Sequence, residues 1–465
     1  MIEAARRKAY GLALRTRRIA DREYHFLEEH QWDSRDRILD IQKERLVRLL
    51  CHAYKKVPYY RSIFENTGLW KAGDVDLTRF NQLPLMSKAI IRKNFEALKS
   101  YDLSARRWFY NRTGGTTTGE PFTFISDYED GWRSGGAVLR WMNGWHLIRP
   151  GDRELKLWGL PLDLYDGSFS LRSRFSNWAS GVTFLNAWRM SEESMRRYIH
   201  ILNKTRPRLL RGYVTNLYEL ALFAESNGLA VHSPTIICSS GGTLYPHIRR
   251  KLETIFCCKV FNHYGSREQH NVAAECSHFD GLHISAFTHY VEVIDENGVS
   301  CPEGIEGEIV VTSMTNYAMP LLRYRTGDRG SLTEELCKCG RGMSLLKKIT
   351  GRSMECFRTR DGRIIPGEFF VYLFGVALDT GIFSKLQILQ KDFDRVLVRA
   401  VPGVRDKPEA ALEDEIRCKI RVVMGESCAV DFSYEQDIES LPSGKFLFTR
   451  CEMETGGSSL LDGSK

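Results

Sequence analysis

A run of glycines and hydroxyl residues between Thr113 and Pro121 has the chemistry of an anion site. Its sequence, TGGTTTGEP, lets the backbone approach a ligand closely, and its hydroxyl and N–H groups can donate hydrogen bonds to phosphate oxygens. Gly114 and Gly119 have the spacing of a Walker loop, but Glu120 stands where that loop requires lysine, which disfavours a P-loop NTPase. The segment predicts a phosphate cradle of another kind, and a plain surface turn is the alternative.

Further segments place a charged side chain directly after a turn. Glu268 ends FNHYGSRE, where its carboxylate can hold Mg²⁺ or lie in a solvated turn. Asp328 ends YRTGD, where it can accept hydrogen bonds from a ribose or cap the turn. Arg352 follows Gly351, and Lys445 lies at the tip of the LPSGK turn. Taken singly, these last two are ordinary solvated charges.

Two groups of cysteine and histidine offer ligands for zinc. The first, CSHFDGLH, contains Cys276, His278 and His283, and the second, CKCGR, contains Cys337 and Cys339. Thiolates and imidazoles are the ligands that suit tetrahedral zinc. From the residues alone, exposed thiols on a turn are an equal alternative, because the C-x-C spacing is tighter than the common C-x2-C. A metal with four protein ligands has no open position, so we expect a structural site.

The composition indicates a folded chain of more than one domain. Its 465 residues suffice for two or three domains, and 43% hydrophobic with 27% charged residues exclude a disordered or fibrous protein. A net charge of +8 is mild and does not indicate nucleic acid. The apolar run Phe369 to Leu378 is too short to cross a membrane, and the arginine-rich start is unlike a secretory signal. We therefore expect a cytoplasmic protein with mostly reduced cysteines.

Alternating helical and strand patterns predict an α/β fold. The chain from Asp36 to Arg61 has apolar residues at helical spacing and a break at Pro58. Beyond it the pattern predicts strands near Trp158 and ending at Ser240, with helices at 191–204 and 217–226.

The pattern changes at Tyr290, where two strands joined by the turn Glu296-Asn297-Gly298 predict an antiparallel, β-rich subdomain. After Gly351 the chain predicts helices at 367–380 and 409–423 and strands around Val398 and Val430. These form a small α+β domain. We expect a large N-terminal domain over residues 1–351 and a small C-terminal domain over residues 352–465.

The order and spacing of these motifs resemble the adenylate-forming superfamily. The match is closest to its phenylacetate-CoA ligase and capsular-polysaccharide-ligase-like branch. It covers nearly the whole chain, because QWDSRD…HAYKKVPYYR and SSGGTLYPHIRRKLE are also similar to that branch. The resemblance implies a mobile C-terminal lid domain and ATP-dependent activation of a carboxylic acid as an acyl-adenylate, followed by transfer to CoA.

The resemblance also implies roles for the motif residues. Glu268 would assist Mg²⁺, and Lys445 would be the catalytic lysine, stabilising charge that builds up as the carboxylate attacks the α-phosphate. The cysteine and histidine groups are similar to a structural zinc site formed by Cys276, His283, Cys337 and Cys339. Nucleotide-binding residues would be Thr113, Gly114, Gly115, Thr116, Thr117, Thr118, Gly119, Tyr264, Asp328 and Arg352.

The chain departs from this branch at a few positions. Gly242 stands where glutamate is usual, Arg267 replaces a threonine of many superfamily members, and Met354 occupies the place of a hinge aspartate, with Glu355 beside it. Without the glutamate at position 242, an adenine or substrate contact of the branch is not expected from this position. Without the aspartate at position 354, the resemblance does not specify how the lid rotates. Candidates for the wall of the acyl pocket are Trp141, Trp145 and Tyr213, although aromatic residues at helical spacing are more often core than substrate wall.

Three hypotheses follow from the sequence. The first is an ATP-dependent acid–thiol ligase that forms AMP and an acyl-CoA. The second keeps the adenylation but sends the acyl group or the AMP to an amine, a hydroxyl or a cofactor. The third is a zinc-stabilised binding protein with a vestigial nucleotide site, against which the presence of Lys445, Asp328 and Glu268 argues. A homodimer is compatible with each.

Overall fold

The computed structural model describes residues 2–112, 123–158, 177–187, 190–352, 357–360, 364–365, 370, 383–403, 410–439 and 446–453. The described chain forms two compact units. The first contains the chain from Met1 to Ile349, and the second begins at Thr350. The sequence places the domain boundary after residue 351.

The helices of the described residues are concentrated in the first unit. The α-helices of at least six residues are α1 (Ile2–Thr16), α2 (Arg18–His30), α3 (Arg35–Lys56), α4 (Pro58–Thr67), α5 (Lys88–Lys93), α6 (Val138–Gly144), α7 (Glu192–Thr205), α8 (Val214–Ser226), α9 (Pro246–Phe256) and α10 (Ala410–Met424). A π-helical segment, Gly131–Ala137, leads directly into α6.

The helix predicted from Asp36 with a break at Pro58 is two helices. The Ser34 hydroxyl accepts a hydrogen bond from the Arg37 N–H and caps the start of α3. Pro58 then begins α4, where its missing N–H costs nothing because the first helical N–H groups have no partner within the helix. Both helices bury one apolar face in a core shared with the segment around Met314–Tyr324.

Most strands belong to one large mixed sheet. The strands are β1 (Trp70–Lys71), β2 (Asp74–Val75), β3 (Trp108–Arg112), β4 (Thr123–Asp127), β5 (Glu154–Trp158), β6 (Val182–Asn186), β7 (Leu209–Tyr213), β8 (Ile236–Ser240), β9 (Lys259–Ser266), β10 (His270–Glu275), β11 (Leu282–Ile284), β12 (His289–Ile294), β13 (Gly307–Ser313), β14 (Tyr324–Thr333), β15 (Leu345–Arg352), β16 (Phe357–Arg358), β17 (Ile364–Ile365), β18 (Phe383–Asp392), β19 (Arg395–Pro402), β20 (Ala429–Tyr434) and β21 (Thr449–Cys451). The large sheet has the order β12-β13-β14-β15-β11-β10-β9-β8-β7-β5-β6. The predicted α/β class is therefore confirmed.

The large sheet has a parallel half and an antiparallel half. Strands β6, β5, β7, β8 and β9 are parallel neighbours, so their carboxyl ends lie along one edge. From β9 onwards the pairings of β10, β11, β12 and β13 are antiparallel. The predicted turn between the first two β-rich strands is present, because the Asp295 carboxylate accepts hydrogen bonds from the N–H groups of Asn297 and Val299. Ligands of such sheets bind beyond the carboxyl ends of the parallel strands.

The second unit contains a four-stranded sheet with the order β20-β19-β18-β21. Strands β18 and β19 are antiparallel, whereas β20 and β21 join them in parallel. The predicted strands around Val398 and Val430 and the helix from Glu409 correspond to β19, β20 and α10. The predicted helix 367–380 lies outside the described residues except for the helical Phe370.

No helix among the described residues is both long and apolar enough to cross a membrane.

Two buried histidines make the first unit sensitive to acid. His146 Nε2 donates to the Glu275 carbonyl at 3.1 Å, and His289 Nε2 donates to the Gln269 carbonyl at 2.6 Å. Burial lowers the pKa of both side chains from 6.5 to about 4. The unfolded chain therefore binds more protons than the folded chain between these pKa values, so stability is complete above about pH 6.5 and falls towards pH 4.

We expect the free energy of unfolding of the first unit to fall by about 2 kcal/mol per histidine between about pH 7 and about pH 5. His146→Gln retains an N–H donor for the Glu275 carbonyl without a group that titrates. Denaturant unfolding of this variant should show a smaller fall over the same range. An unchanged pH dependence in His146→Gln would refute the assignment.

Candidate active site

The YGSRE and YRTGD motifs meet in the first unit. The Tyr264 hydroxyl, at the end of β9, donates to Asp328 Oδ2 at 2.9 Å and lies 3.3 Å from Thr326 Oγ1 on β14. The Thr326 hydroxyl in turn accepts from the Asp328 N–H at 3.1 Å and donates to the Ile309 carbonyl at 2.8 Å. Asp328 is half-buried and is held in place, which suits a carboxylate that must accept hydrogen bonds from a ligand.

A second contact joins the same two motifs. The Tyr324 hydroxyl donates to Glu268 Oε1 at 3.1 Å, and Glu268 is only 8% exposed. Mg²⁺ prefers oxygen ligands, carboxylates among them, so the carboxylate of Glu268 is of the right chemical type to hold Mg²⁺. The sequence indicates Glu268 and contains Tyr324 in the YRTGD motif, but no local pattern shows that Tyr324 supports Glu268.

Gly265 allows the close chain crossing at this place. A Cβ at this position would lie 1.9 Å from the His270 carbonyl oxygen, which no side chain can tolerate. Strands β9 and β10 pair here with a shift of register between Asn271 and Ala273. The glycine of YGSRE is thus required by the packing of the turn.

Other predicted site residues lie outside the described part of the chain. These are the phosphate segment from Thr113 to Pro121, Lys445, and the hinge positions Met354 and Glu355. Arg352 ends β15, but its side chain is not described. Strands β3 and β4 pair with Arg112 opposite Thr123, so the residues that flank the phosphate segment lie next to each other. The assignments of these residues stay predictions.

Packing does not explain the departure at Gly242. A Cβ there would meet Val214 Cβ at 3.4 Å, an ordinary contact, and the residue does not need a left-handed backbone. The segment follows β8 at the carboxyl edge of the parallel strands. A side chain would fit at this position, so steric packing does not account for the absence of glutamate. The chain simply lacks a carboxylate that the branch usually has here.

Packing favours the core alternative for two of the acyl-pocket candidates. Trp141 is fully buried, and its Nε1 donates to Gln31 Oε1 at 3.1 Å, so it is a core residue with no surface for a substrate. Trp145 packs edge-on against the rings of Trp141 and His283, with centroids 4.7 and 5.6 Å away. It therefore contacts the cysteine and histidine cluster. Tyr213, at the carboxyl end of β7, stays a prediction.

The predicted zinc ligands come together. The ligand atoms of Cys276, His283, Cys337 and Cys339 all lie within 4.8 Å of one another. The Cys276 and Cys337 sulfurs are 3.6 Å apart, and Cys339 Sγ is 3.3 Å from His283 Nε2. His278 is outside this group. Three thiols and one imidazole at these distances match the donor set of a tetrahedral zinc site.

Charge in this cluster is unevenly distributed. Burial raises the pKa of the Cys276 and Cys337 thiols, and it lowers the pKa of His283 to about 4, which keeps the imidazole neutral. Burial also disfavours the Cys339 thiolate, but hydrogen bonds from Arg341 outweigh it, and the net pKa of Cys339 is lowered. The Arg341 guanidinium lies over the Trp32 and Trp145 rings, 4.5 and 4.6 Å from their centroids. Sequence reasoning missed this residue, although it directly follows the CKCG turn.

Comparison with known proteins covers most of the chain. No protein-family model matches it. Protein CapK of Staphylococcus aureus is 24% identical over 419 residues, which cover 88% of this chain and 88% of the relative. A phenylacetate-coenzyme A ligase of Aromatoleum evansii is 26% identical over 447 residues, 90% of this chain and 95% of the relative. A phenylacetate-coenzyme A ligase of Thermus thermophilus is 26% identical over 348 residues, 74% of this chain and 76% of the relative.

Solved structures show the same fold. A 2-hydroxyisobutyryl-CoA ligase in the postadenylation state, in complex with R3-HIB-AMP, superposes with a TM-score of 0.72 at 20% identity and 91% coverage of both chains. The same ligase with 2-HIB-AMP and CoA in the thioesterification state gives a TM-score of 0.59 at 22% identity, again with 91% coverage of both chains. The resemblance inferred from the motifs is confirmed: the chain is similar to phenylacetate-CoA ligases and CapK along most of its length, and it has the fold of the acyl-CoA ligases of the adenylate-forming superfamily.

Proposed function

We propose that this protein activates a carboxylic acid with ATP and transfers the acyl group to CoA. The observation that carries the proposal is the pair of contacts, Tyr264 to Asp328 and Tyr324 to Glu268, that joins the two nucleotide motifs. The similarity to phenylacetate-coenzyme A ligases over most of the chain supports it.

In the first half-reaction, a carboxylate oxygen of the substrate attacks the α-phosphorus of ATP, and pyrophosphate leaves. Asp328 would accept hydrogen bonds from the ribose hydroxyls, and the hydrogen bond from Tyr264 that orients its carboxylate supports this role. Glu268 would hold Mg²⁺, which neutralises phosphate charge when bound. Lys445 would stabilise the negative charge of the transition state from the LPSGK turn.

In the second half-reaction, the CoA sulfur attacks the acyl carbon, the bond to the AMP oxygen breaks, and AMP leaves. We propose that the C-terminal domain rotates about the segment from Arg352 to Glu355 between the two steps, which removes Lys445 and admits the thiol. Hinges of this kind absorb a large backbone change at a few residues. The predicted cytoplasmic location and the homodimer stay predictions.

The decisive assay follows both products with one panel of acids. We expect Mg²⁺-dependent release of pyrophosphate with an accepted acid, and an acyl-CoA detected by mass spectrometry when CoA is added. If an accepted acid is adenylated but no acyl-CoA forms at saturating CoA, the acceptor is an amine, a hydroxyl or a cofactor instead. If no acid in a broad panel supports pyrophosphate release, the protein is a binding protein.

Lys445→Ala should reduce carboxylate-dependent ATP–pyrophosphate exchange by ~10²–10³-fold, the loss expected when one charge-stabilising group is removed. Lys391→Ala is the matched control, because it removes an exposed lysine from β18 in the second unit. Folding of both variants should equal that of the wild type. Exchange at the wild-type rate in Lys445→Ala would eliminate this residue from catalysis.

We propose that Cys276, His283, Cys337 and Cys339 hold a structural zinc ion. The mutual distances within 4.8 Å and the neutral His283 support this proposal. The cluster uses four protein ligands, which leaves no position for a substrate.

The purified protein should carry about one zinc per chain. Cys337→Ser should lower the melting temperature and the zinc content more than it lowers turnover, because a structural metal contributes to folding. Cys257→Ser, which changes an exposed thiol outside the cluster, should change neither. Elemental analysis that finds no metal in protein purified without chelator would rule the site out.

A further inference from the structure

A polar row crosses one face of the parallel half of the sheet. Along β5, Glu154, Lys156 and Trp158 alternate with the fully buried Leu155 and Leu157. Residues in register across parallel strands share a face. Lys156 is in register with Phe184 of β6 on one side and with Arg211 of β7 on the other.

Lys156 is half-buried and lies against two aromatic rings. Its Nζ lies 4.8 Å from the centroid of Trp158 and 5.7 Å from that of Phe184, both within the range of a cation–π contact. Among the described residues no hydrogen-bond acceptor or carboxylate is paired with this ammonium group. Burial lowers the pKa of Lys156, although Glu154 partly opposes this effect. Among the described residues, the carboxylate that acts on this charge is that of Glu154, and Glu154 pairs with Arg211.

The neighbouring Arg211, unlike Lys156, has hydrogen-bond partners for its charged group. Its Nε donates to Glu154 Oε1 at 2.8 Å, and its terminal nitrogens reach Asn143 Oδ1 at 2.7 Å and His263 Nδ1 at 3.4 Å. The guanidinium is thus satisfied, and it occupies the one carboxylate of the row. Among the described residues of this row, two cations share one anion, which leaves an excess positive charge that a bound anion would balance.

The aromatic residues around Lys156 continue to the carboxyl edge of the sheet. Trp158 is the last residue of β5, and its ring lies 4.4 Å from that of Tyr213, the last residue of β7, with 32° between the planes. Flat apolar walls next to a desolvated cation suit a planar molecule with a negative group. Ligands of parallel sheets bind at this edge.

We infer that the carboxylic acid accepted by this enzyme carries a second anionic group on a planar, apolar body, and that Lys156 binds that group. Trp158, Phe184 and Tyr213 contact the body of the acid. The inference rests on the proposed function, because it names the class of acid that the same site activates. Lys156 is a specificity-determining residue and takes no part in the bond changes.

The test compares pairs of acids that differ only in the second charge. Each pair is a benzene dicarboxylate and its mono-amide, in which one carboxylate is replaced by a neutral group of the same shape. For the preferred ring geometry, wild-type kcat/KM for pyrophosphate release should favour the dicarboxylate by ~10-fold or more, the value of one charge-assisted hydrogen bond. In Lys156→Met the ratio should fall to about one, mainly through KM of the dicarboxylate.

Lys156→Arg retains the charge and should restore part of the preference, which a merely structural role would not do. Equal use of both acids by the wild type, or an unchanged preference in Lys156→Met, would overturn the inference.

A direct binding measurement separates this inference from the proposed function. Without ATP, the dicarboxylate should raise the melting temperature of the wild type and not that of Lys156→Met. This result supports the anion site even if no acid releases pyrophosphate, in which case the enzyme assignment alone fails. If pyrophosphate release is normal but the dicarboxylate gives no Lys156-dependent shift or preference, the inference alone fails.

Discussion

The contact between Tyr264 and Asp328 requires the large sheet to coil. Strands β9 and β14 are separated by β10, β11 and β15, and neighbouring strands lie about 4.8 Å apart, so a flat sheet would place them about 19 Å apart. Two side chains cannot span that distance with a hydrogen bond of 2.9 Å. The antiparallel half must therefore curl until β14 returns over the end of β9. The contact between the YGSRE and YRTGD motifs depends on this curvature.

Register shifts and glycines at close strand crossings favour this curvature. Register shifts occur between β9 and β10 and between β13 and β14, and bulges of this kind increase the local twist of a pair. At Gly265 and Gly330 a Cβ would lie 1.9 and 2.4 Å from a carbonyl oxygen of another strand. Glycine is needed at both positions because the strands cross too closely for any side chain. In sequence, the glycine of YGSRE suggests a flexible loop. In the structure, Gly265 allows two strands to cross closely.

Sequence reasoning found what is local. The alternating pattern predicted the α/β class, and the ligand types at Cys276, His283, Cys337 and Cys339 predicted the cluster that the fold assembles. It failed where the outcome depends on long-range packing. Nothing near Trp141 in the chain indicates that its ring is sealed against Gln31, 110 residues earlier. Likewise, the support of Glu268 by Tyr324 depends on the coiling of the sheet, which no local pattern specifies.

The cysteine and histidine cluster lies on and beside the strands of the coiled half of the sheet. Cys276 directly follows β10, His283 lies on β11, and Cys337 and Cys339 lie between β14 and β15. Strands β10, β11 and β15 separate the YGSRE motif from the YRTGD motif in the sheet. A metal bound here would link the end of β10, β11 and the connection between β14 and β15, and would so stabilise the curled half of the sheet. Its loss would relax the curvature first and reach Asp328 and Glu268 only through the strands. A metal held by these four ligands would therefore influence Asp328 and Glu268 through the geometry of the sheet, although the cluster would have no open position for a substrate.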